Sequence, residues 1–186
     1  MLTVYIDFKS PDCYLALAPT LAMIDHTGCR VRWLPLRVRE RELPKDSHDP
    51  ALTASHGRVR RAYQQRINQH YASLQGLSLE GPTNPHGTDA ALAALLGSES
   101  NTTPFVQAAF NAYWQDSANL GSQQTVTKLW GSCLSQPASI DIEALDRHQA
   151  DTETAGIPDA PAYVLDGELF IGRAHLPWLR ELLTGS

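Results

Sequence analysis

Cysteine is scarce in this chain of 186 residues, and the few that occur form no recognisable pattern. The three cysteines, Cys13, Cys29 and Cys133, are odd in number and far apart, which argues against the disulfide framework of a small secreted domain. No C-x-x-C pair is present, and the seven histidines form neither an H-x-x-x-H nor an H-E-x-x-H pattern. The sequence therefore predicts no metal site.

Long apolar runs and an excess of positive charge are missing as well. No window reaches eighteen apolar residues, and the N-terminus enters a strand pattern without the basic and apolar regions of a signal peptide. The formal net charge of −5 gives no reason to expect a nucleic-acid partner. We therefore expect a cytoplasmic protein without a membrane or nucleic-acid partner, whose length suits one domain or one domain with a sizeable insertion.

Charge is nevertheless distributed unevenly along the chain. Between Arg30 and Arg66 there are ten basic and four acidic residues, whereas nine acidic and three basic residues follow from Ser139 to the end. A basic rim suits small anionic ligands, but a run of like charge also occurs on an ordinary solvated face. Composition leaves both interpretations open.

The first sixteen residues carry the strongest local signal. The segment Leu2–Phe8 is rich in β-formers and predicts a strand, and Pro11 to about His26 predicts a helix with Gly28 as its stop. Ser10 precedes a proline suited to a first helical turn, so its hydroxyl is expected to cap the helix at the positive end of the dipole. A thiolate is one anion that such a position stabilises. The same pattern also fits a buried strand followed by a well-capped structural helix.

The rest of the chain predicts a helical block and then a second sheet-forming piece. The first half predicts a strand over Cys29–Leu36, a loop over Arg37–Thr53, a helix over Ala54–Gly76, a loop over Gly81–Gly87 and a helix from an N-cap at Thr88 to about Gly97. The second half predicts two or three helices between Thr103 and Ala155, a hairpin of Pro161–Leu165 and Glu168–Ile171 with an Asp166-Gly167 turn, and a helix over His175–Leu183. This order fits an α/β, thioredoxin-like fold with an inserted all-helical domain, although periodicity alone does not distinguish it from other α/β arrangements. Residues 1–36 and 156–186 would form the thioredoxin-like domain, and residues 54–155 the insert.

Three anchors carry a family resemblance. Asp7–Ala16 reads DFKSPDCYLA and resembles the opening D-F-x-S-P-x-S-Y-L-A of the family that joins 2-hydroxychromene-2-carboxylate isomerases, kappa-class glutathione transferases and DsbA-like oxidoreductases. Gly156–Gly172 reads GIPDAPAYVLDGELFIG and is similar to that family's G-x-x-x-x-P-x-F-V-x-x-G-x-x-F-x-G. A less specific anchor is RRAY over residues 60–63. The anchors keep the family's order and spacing over nearly the whole chain.

The resemblance implies a glutathione-dependent chemistry centred on Ser10. The Ser10 hydroxyl would hydrogen-bond the sulfur of bound glutathione and favour the thiolate, which is the reactive form. Pro161 would be the family's cis-proline and would turn the backbone of Ala160 toward glutathione, whereas the residues alone favour a trans proline that opens an edge strand. The resemblance further implies a small electrophilic substrate, such as an aromatic 2-oxo acid, and allows a homodimer.

Three further positions qualify this expectation. The family holds the γ-glutamyl end of glutathione with a polar pair, and this chain has Arg173 and Ala174 at those positions. Ala174 replaces the family's acid, which leaves the ligand's ammonium without a counter-charge, whereas the Arg173 guanidinium could bind a carboxylate. Arg60 is the best candidate for an anion-binding side chain, with a solvent-facing helix position as the plain alternative. Cys13 ends a Ser-Pro-Asp-Cys segment in which serine excludes an ordinary disulfide, so a small packed residue is expected there.

The sequence thus predicts a glutathione-dependent isomerase-like or transferase-like enzyme that acts on a small molecule. Its catalytic residue would be Ser10, and its glutathione site would consist of Ser10, Arg60, Ala160, Pro161, Arg173 and Ala174. Two alternatives stay open. One is a DsbA-like thiol oxidoreductase that uses Cys13 alone, and the other is a non-catalytic thioredoxin-fold protein that binds a small anion or a protein.

Overall fold

The computed structural model describes residues 1–38, 50–82, 86–98 and 101–185, except for the side chains of residues 50–56 and 61. A four-stranded mixed sheet with the order β2-β1-β3-β4 lies at its centre. The strands are β1 (Leu2–Ile6), β2 (Val31–Pro35), β3 (Ala162–Leu165) and β4 (Glu168–Ile171). Strand β1 pairs parallel with β2 and antiparallel with β3, which in turn pairs antiparallel with β4. The first and last pieces of the chain therefore build one sheet, and the predicted fold class is confirmed.

Seven α-helices lie in the described residues, and a 3-10 turn at Arg173–His175 precedes the last of them. They are α1 (Pro11–Thr27), α2 (Pro50–Gln75), α3 (Asp89–Leu96), α4 (Thr103–Trp114), α5 (Gln123–Cys133), α6 (Ile142–Thr154) and α7 (Leu176–Thr184). By packing, the chain divides into one unit of Met1–Val38 with Glu80–Ser186 and a second unit of Arg39–Leu79, which contains α2. The boundaries of the helical insert at residues 54 and 155 stay a prediction.

Some predicted element ends shift by a few residues for local reasons. Strand β1 ends at Ile6 rather than at Phe8, because the chain turns there and the Ser10 N–H donates to the Asp7 carbonyl at 3.1 Å. Helix α7 starts at Leu176 because the 3-10 turn occupies the residues before it. Helix α2 starts at Pro50, a residue type suited to a first helical turn, instead of at residue 54. Much of the predicted loop 37–53, and residues 83–85 of the loop 81–87, lie outside the described residues.

The two faces of the sheet are covered by different helices. Alternation along β1 points Leu2, Val4 and Ile6 to one face, where all three are buried. On that face the Tyr163 hydroxyl and the Thr20 hydroxyl of α1 are 2.9 Å apart and share a hydrogen bond. Helix α7 packs beside α1. On the opposite face the Tyr5 ring stacks on His148 of α6, with ring centroids 6.3 Å apart.

A second set of buried aromatic rings joins the turn between β1 and α1 to the helices. The Phe8 ring, which is fully buried, meets Phe110 of α4 edge-on at a centroid distance of 5.1 Å, and Phe105 at 6.0 Å. Phe105 in turn packs on Trp130 of α5 at 4.6 Å. Burying aromatic side chains of this size supplies a large share of a core's stability.

Among the described residues, no helix combines the length and the apolar character needed to cross a bilayer.

Candidate active site

Ser10 stands at the junction of β1 and α1, where it caps the helix as predicted. Its backbone is extended (φ −79°, ψ 120°), Pro11 opens the first turn, and the Ser10 Oγ accepts the Cys13 N–H at 3.3 Å. That bond uses the oxygen as an acceptor, so the Ser10 O–H stays a donor, and the Ser10 side chain also bonds to the Cys13 thiol, which lowers the pKa of Cys13 against the larger effect of burial. The side chain is 7% exposed. A nearly buried hydroxyl proton is thus held at the positive end of a helix dipole, which favours an anion beside it.

The Ala160–Pro161 peptide bond is cis and lies beside this turn. Tyr5 pairs with Ala162 in the sheet register, so Pro161 sits next to the end of β1 from which the Ser10 turn leaves. The Pro161 carbonyl accepts the Gly172 N–H at 2.8 Å, and this bond ties the start of the 3-10 turn to the proline. Ala160 is 5% exposed, and its N–H donates to the Asp159 carboxylate at 2.8 Å.

An ion pair connects the first turn of α1 to the 3-10 turn after β4. The Arg173 Nη1 and the Asp12 Oδ1 are 3.4 Å apart, with side chains 17% and 37% exposed. Asp12 belongs to the first turn of α1, so this pair connects that turn to the residue after Gly172. The carboxylate that Arg173 meets belongs to Asp12, and the predicted contact of Arg173 with glutathione stays a prediction. Ala174 is exposed, and its place in a glutathione site stays a prediction.

Arg60 belongs to α2 in the second unit, where its side chain is exposed. The other predicted site residues all belong to the first unit. An anion-binding role for Arg60 therefore stays a prediction.

Asp7 is a buried residue that the sequence reasoning missed as a functional candidate. Its side chain is 0% exposed and accepts three donors: the Lys9 N–H at 3.2 Å, the Val38 N–H at 2.9 Å and the Thr88 hydroxyl at 3.4 Å. Among the described residues, no cation forms an ion pair with it. Burial raises the pKa of the Asp7 carboxyl, although these hydrogen bonds oppose the rise. The available signal was an acid directly after an apolar strand.

The prediction that the Thr88 side chain caps the following helix is wrong. Thr88 occupies the position before α3, but its side chain makes no capping hydrogen bond. The hydroxyl donates to the Asp7 carboxyl at 3.4 Å, so the side chain bonds to the segment after β1 and not to the start of α3. Asp7 thereby connects the turn that holds Ser10, the segment after β2 and the start of α3.

Cys13 is unsuited to act as a nucleophile in this arrangement. The residue is 1% exposed, and its Sγ accepts the Asp7 N–H at 3.4 Å. Burial is the main cause that raises the pKa of the Cys13 thiol well above its ordinary value. A neutral, buried thiol is a poor nucleophile, so the structure places Cys13 in a packing role.

We expect only two of the three thiols to react in the native protein. Cys29 and Cys133 are partly exposed, whereas Cys13 is buried. A colorimetric thiol titration should count about two fast-reacting thiols in buffer, with the third appearing only in denaturant. The Cys13→Ala variant should give the same native count and lose the slow thiol. A native count that falls by one in this variant would show that Cys13 is accessible.

The aromatic residues near the turn form a packed layer and not an open pocket. Tyr14 stacks on Trp114 with centroids 5.3 Å apart and ring planes 3° apart, and the Trp114 Nε1–H donates to the Phe8 carbonyl at 3.0 Å. Gly81 approaches this ring so closely that an added Cβ would lie 3.2 Å from it. The Gln115 amide donates to the Tyr14 hydroxyl at 2.7 Å. These contacts hold the backbone that leads into Ser10.

A groove of about 710 Å³ lies elsewhere, where the end of α1 meets β2 and the start of α4. Residues such as Cys29, Arg32, Trp33 and Thr103 line it. It contains none of the predicted site residues, and the Trp33 indole N–H inside it is already bonded to the Thr103 hydroxyl at 3.0 Å. The chemistry of the turn at Ser10 is therefore separate from this groove.

The DSBA-like thioredoxin domain matches residues 1–184 of the chain. The chain belongs to the DsbA-like thioredoxin family. None of the curated proteins matches it in sequence. The suspected family and the thioredoxin-like fold are thereby confirmed.

Solved structures of other proteins resemble this one in fold. A 2-hydroxychromene-2-carboxylate isomerase superimposes with a TM-score of 0.69 at 18% identity, covering 98% of this chain and 93% of that one. A probable DsbA oxidoreductase from Streptomyces coelicolor superimposes with a TM-score of 0.66 at 16% identity, covering 100% and 90%. At these identities the likeness concerns the fold alone. Within the described part of this DsbA-like chain, no cluster of His, Cys, Asp and Glu side chains could hold a metal ion.

Proposed function

We propose that this DsbA-like protein is a glutathione-dependent enzyme in which Ser10 stabilises the glutathione thiolate. The observation that carries the proposal is the Ser10 hydroxyl, which is held nearly buried at the N-terminus of α1, next to the Ala160–Pro161 cis peptide bond. A hydroxyl donor and a helix N-terminus both stabilise the anionic form of a sulfur atom placed against them. The pKa of a bound thiol should fall, and the concentration of the nucleophile should rise.

The proposed reaction begins with attack of the glutathione sulfur on an electrophilic carbon of a small substrate. In an isomerisation, a C–S bond forms at a conjugated carbon, rotation occurs about the resulting single bond, and the C–S bond breaks to return the thiolate. In a transfer, the C–S bond stays and the product leaves as a thioether. Both outcomes use one activated sulfur, and an aromatic 2-oxo acid is a candidate substrate for the first.

The Asp12–Arg173 ion pair supports glutathione as the sulfur carrier. The γ-glutamyl end of glutathione carries an ammonium and a carboxylate on one carbon. The pair offers an acid and a guanidinium whose closest atoms are 3.4 Å apart. Asp12 lies two residues after Ser10, and Arg173 follows Gly172, whose N–H bonds to the Pro161 carbonyl. Charges of opposite sign on the two partners match such a zwitterion, and the guanidinium fits a carboxylate in a bidentate manner. Asp12 would thus supply the acid that Ala174 lacks.

The structure gives less support to the thiol oxidoreductase, because Cys13 is buried and its thiol pKa is raised. A non-catalytic binding protein is the second candidate. The Ala160 N–H already donates to Asp159, so a strand-like pairing with glutathione would have to displace that carboxylate. Because the Ala160 N–H is already bonded, glutathione would bind here less tightly than at a backbone N–H without a partner.

The decisive experiment is a calorimetric titration of the protein with glutathione and with S-methylglutathione. We expect wild type to prefer glutathione, because only the free thiol can become a thiolate, and Ser10→Ala to lose about tenfold in affinity for glutathione alone. Ser10→Thr keeps a hydroxyl at the helix cap and should retain most of the preference. Equal binding of both ligands by wild type would contradict thiolate stabilisation, and no binding of either would leave the non-catalytic alternative.

A further inference from the structure

The groove of about 710 Å³ has no part in the chemistry proposed for Ser10. Its walls come from the end of α1, from β2 and from the residues at the start of α4. A cavity of this volume is in the range of small-molecule sites. Because Thr102 and Thr103 both line it, the groove opens onto the N-terminus of α4.

Thr102 is a buried residue whose hydroxyl has no partner. The residue is 4% exposed, and its side chain makes no capping hydrogen bond to α4. None of the described residues bonds to this hydroxyl, and its oxygen is not fully enclosed by the protein. Buried hydroxyls are as a rule hydrogen-bonded, because leaving one unpaired costs free energy. An unpaired hydroxyl in the wall of a groove therefore indicates a ligand that supplies the missing partner.

Two further donors lie at the start of the same helix. The Thr103 Oγ1 accepts the Trp33 indole N–H at 3.0 Å, so the Thr103 O–H is left to donate. The Val106 N–H donates to the Thr102 carbonyl at 2.9 Å, and the Phe105 N–H precedes this first bond of the helix. Within the described part of the chain, nothing accepts the Thr103 O–H or the Phe105 N–H. Donors gathered at the positive end of a 12-residue helix favour an anion.

The charged side chains along the groove also favour an anion. Arg30 and Arg32 line it and are exposed, and neither forms an ion pair with a residue that the structure describes. Asp25 is the acidic residue of the described lining. Two guanidinium groups and one carboxylate leave an excess of positive charge, which raises the local concentration of small anions.

Apolar side chains supply the rest of the wall. Leu21 and Ile24 of α1 and Val31 of β2 line the groove, and all three are partly exposed. Small-molecule sites typically combine such apolar walls with a few polar groups that orient the ligand. The groove therefore suits a ligand that has an apolar body and one anionic group.

We propose that this groove binds a small organic anion. Its carboxylate or phosphate accepts hydrogen bonds from the donors at the N-terminus of α4, including the Thr102 hydroxyl. Its apolar body contacts Leu21 and Ile24. The site shares no residue with the turn at Ser10, so the protein holds this anion and a ligand at Ser10 at the same time.

Calorimetric titration with benzoate, phenyl phosphate and inorganic phosphate tests the proposal. Wild type should bind at least one of the two aromatic anions more tightly than inorganic phosphate, and the better one tells whether the natural ligand is a carboxylate or a phosphate. Thr102→Val should bind that anion about tenfold more weakly, because a hydrogen bond to a charged group is lost. The variant loses no hydrogen bond within the protein, so its thermal stability without ligand should not fall.

Thr152→Val is the matched control. Thr152 is also 4% exposed, but its hydroxyl donates to the His148 carbonyl at 2.7 Å. This substitution should lower thermal stability and leave the affinity for the anion unchanged. The two charges provide an independent readout, because Arg30→Gln should weaken binding and Asp25→Asn should strengthen it, each by about two- to fivefold.

Three results would overturn the proposal. The first is that wild type binds none of the three anions, or binds inorganic phosphate best. The second is that Thr102→Val retains the affinity of wild type, or that Thr152→Val loses as much affinity as Thr102→Val does. The third is that saturating glutathione abolishes binding of the anion, which would place the anion at Ser10.

Discussion

Trp114→Ala should lower the free energy of unfolding by about 3–5 kcal/mol, the range for removing a large buried aromatic ring. The indole is 9% exposed and stacks on Tyr14. Its Nε1–H donates to the Phe8 carbonyl, two residues before Ser10, at 3.0 Å. The substitution therefore removes apolar burial, a ring stack and a hydrogen bond to the backbone of the active turn. Urea denaturation followed by circular dichroism measures the change.

Two variants separate the parts of this effect. Trp114→Phe keeps a ring against Tyr14 but leaves the Phe8 carbonyl without its donor, so it should cost about 1–3 kcal/mol. Tyr63→Ala, on an aromatic residue that is 60% exposed, should change stability by no more than about 0.5 kcal/mol. If Trp114→Ala lowers the free energy of unfolding no more than Tyr63→Ala does, the Trp114 ring does not stabilise the turn at Ser10.

Asp7→Ala should destabilise the protein by about 2–4 kcal/mol, because it leaves three buried donors without an acceptor. Those donors are the N–H groups of Lys9 and Val38 and the hydroxyl of Thr88. Asp7→Asn retains one acceptor oxygen and a similar shape, so it should cost less than Asp7→Ala. Thermal or chemical unfolding of the three proteins at one pH ranks them. Equal stability of wild type and Asp7→Ala would show that the carboxylate does not hold these segments together.

The pH dependence of Asp7 has a definite sign. Because burial raises the pKa of Asp7 in the folded state, the carboxyl stays protonated there at pH values at which the unfolded chain has already released the proton. The unfolded state then binds fewer protons, so this group makes the protein less stable as pH rises from about 3.9 through the raised pKa.

Asp7→Asn removes this titration and is therefore the reference. The free energy of unfolding of wild type minus that of Asp7→Asn should decrease as the pH is raised from about 3.9, and should level off above the raised pKa. Denaturant unfolding at a series of pH values provides the difference. A difference that increases over this range would mean that the hydrogen bonds outweigh burial and that the pKa of Asp7 is lowered in the folded protein.

The correctly predicted elements are those encoded by neighbouring residues. Ser10 and Pro11 predict the start of α1, and Gly28 ends that helix in a left-handed conformation (φ 63°) that glycine adopts without strain. The Asp166-Gly167 pair forms the hairpin turn between β3 and β4. Thr88 shows where such reasoning fails. The residue type suits a cap, but its hydroxyl donates to Asp7, which is buried after β1 and distant in the sequence, and its side chain makes no capping bond.

The amino-acid sequence by itself determined the α/β architecture, the family and the cap at Ser10, because strand and helix periods, caps and turns depend on residues a few positions apart. Only the tertiary structure decided which side chains surround that serine. Asp12 meets Arg173, and Asp7 meets Val38 and Thr88, across long separations along the chain. The burial that raises the pKa of the Cys13 thiol was likewise decided by how the elements pack. Desolvation and pairing depend on distance in space, which no local pattern specifies.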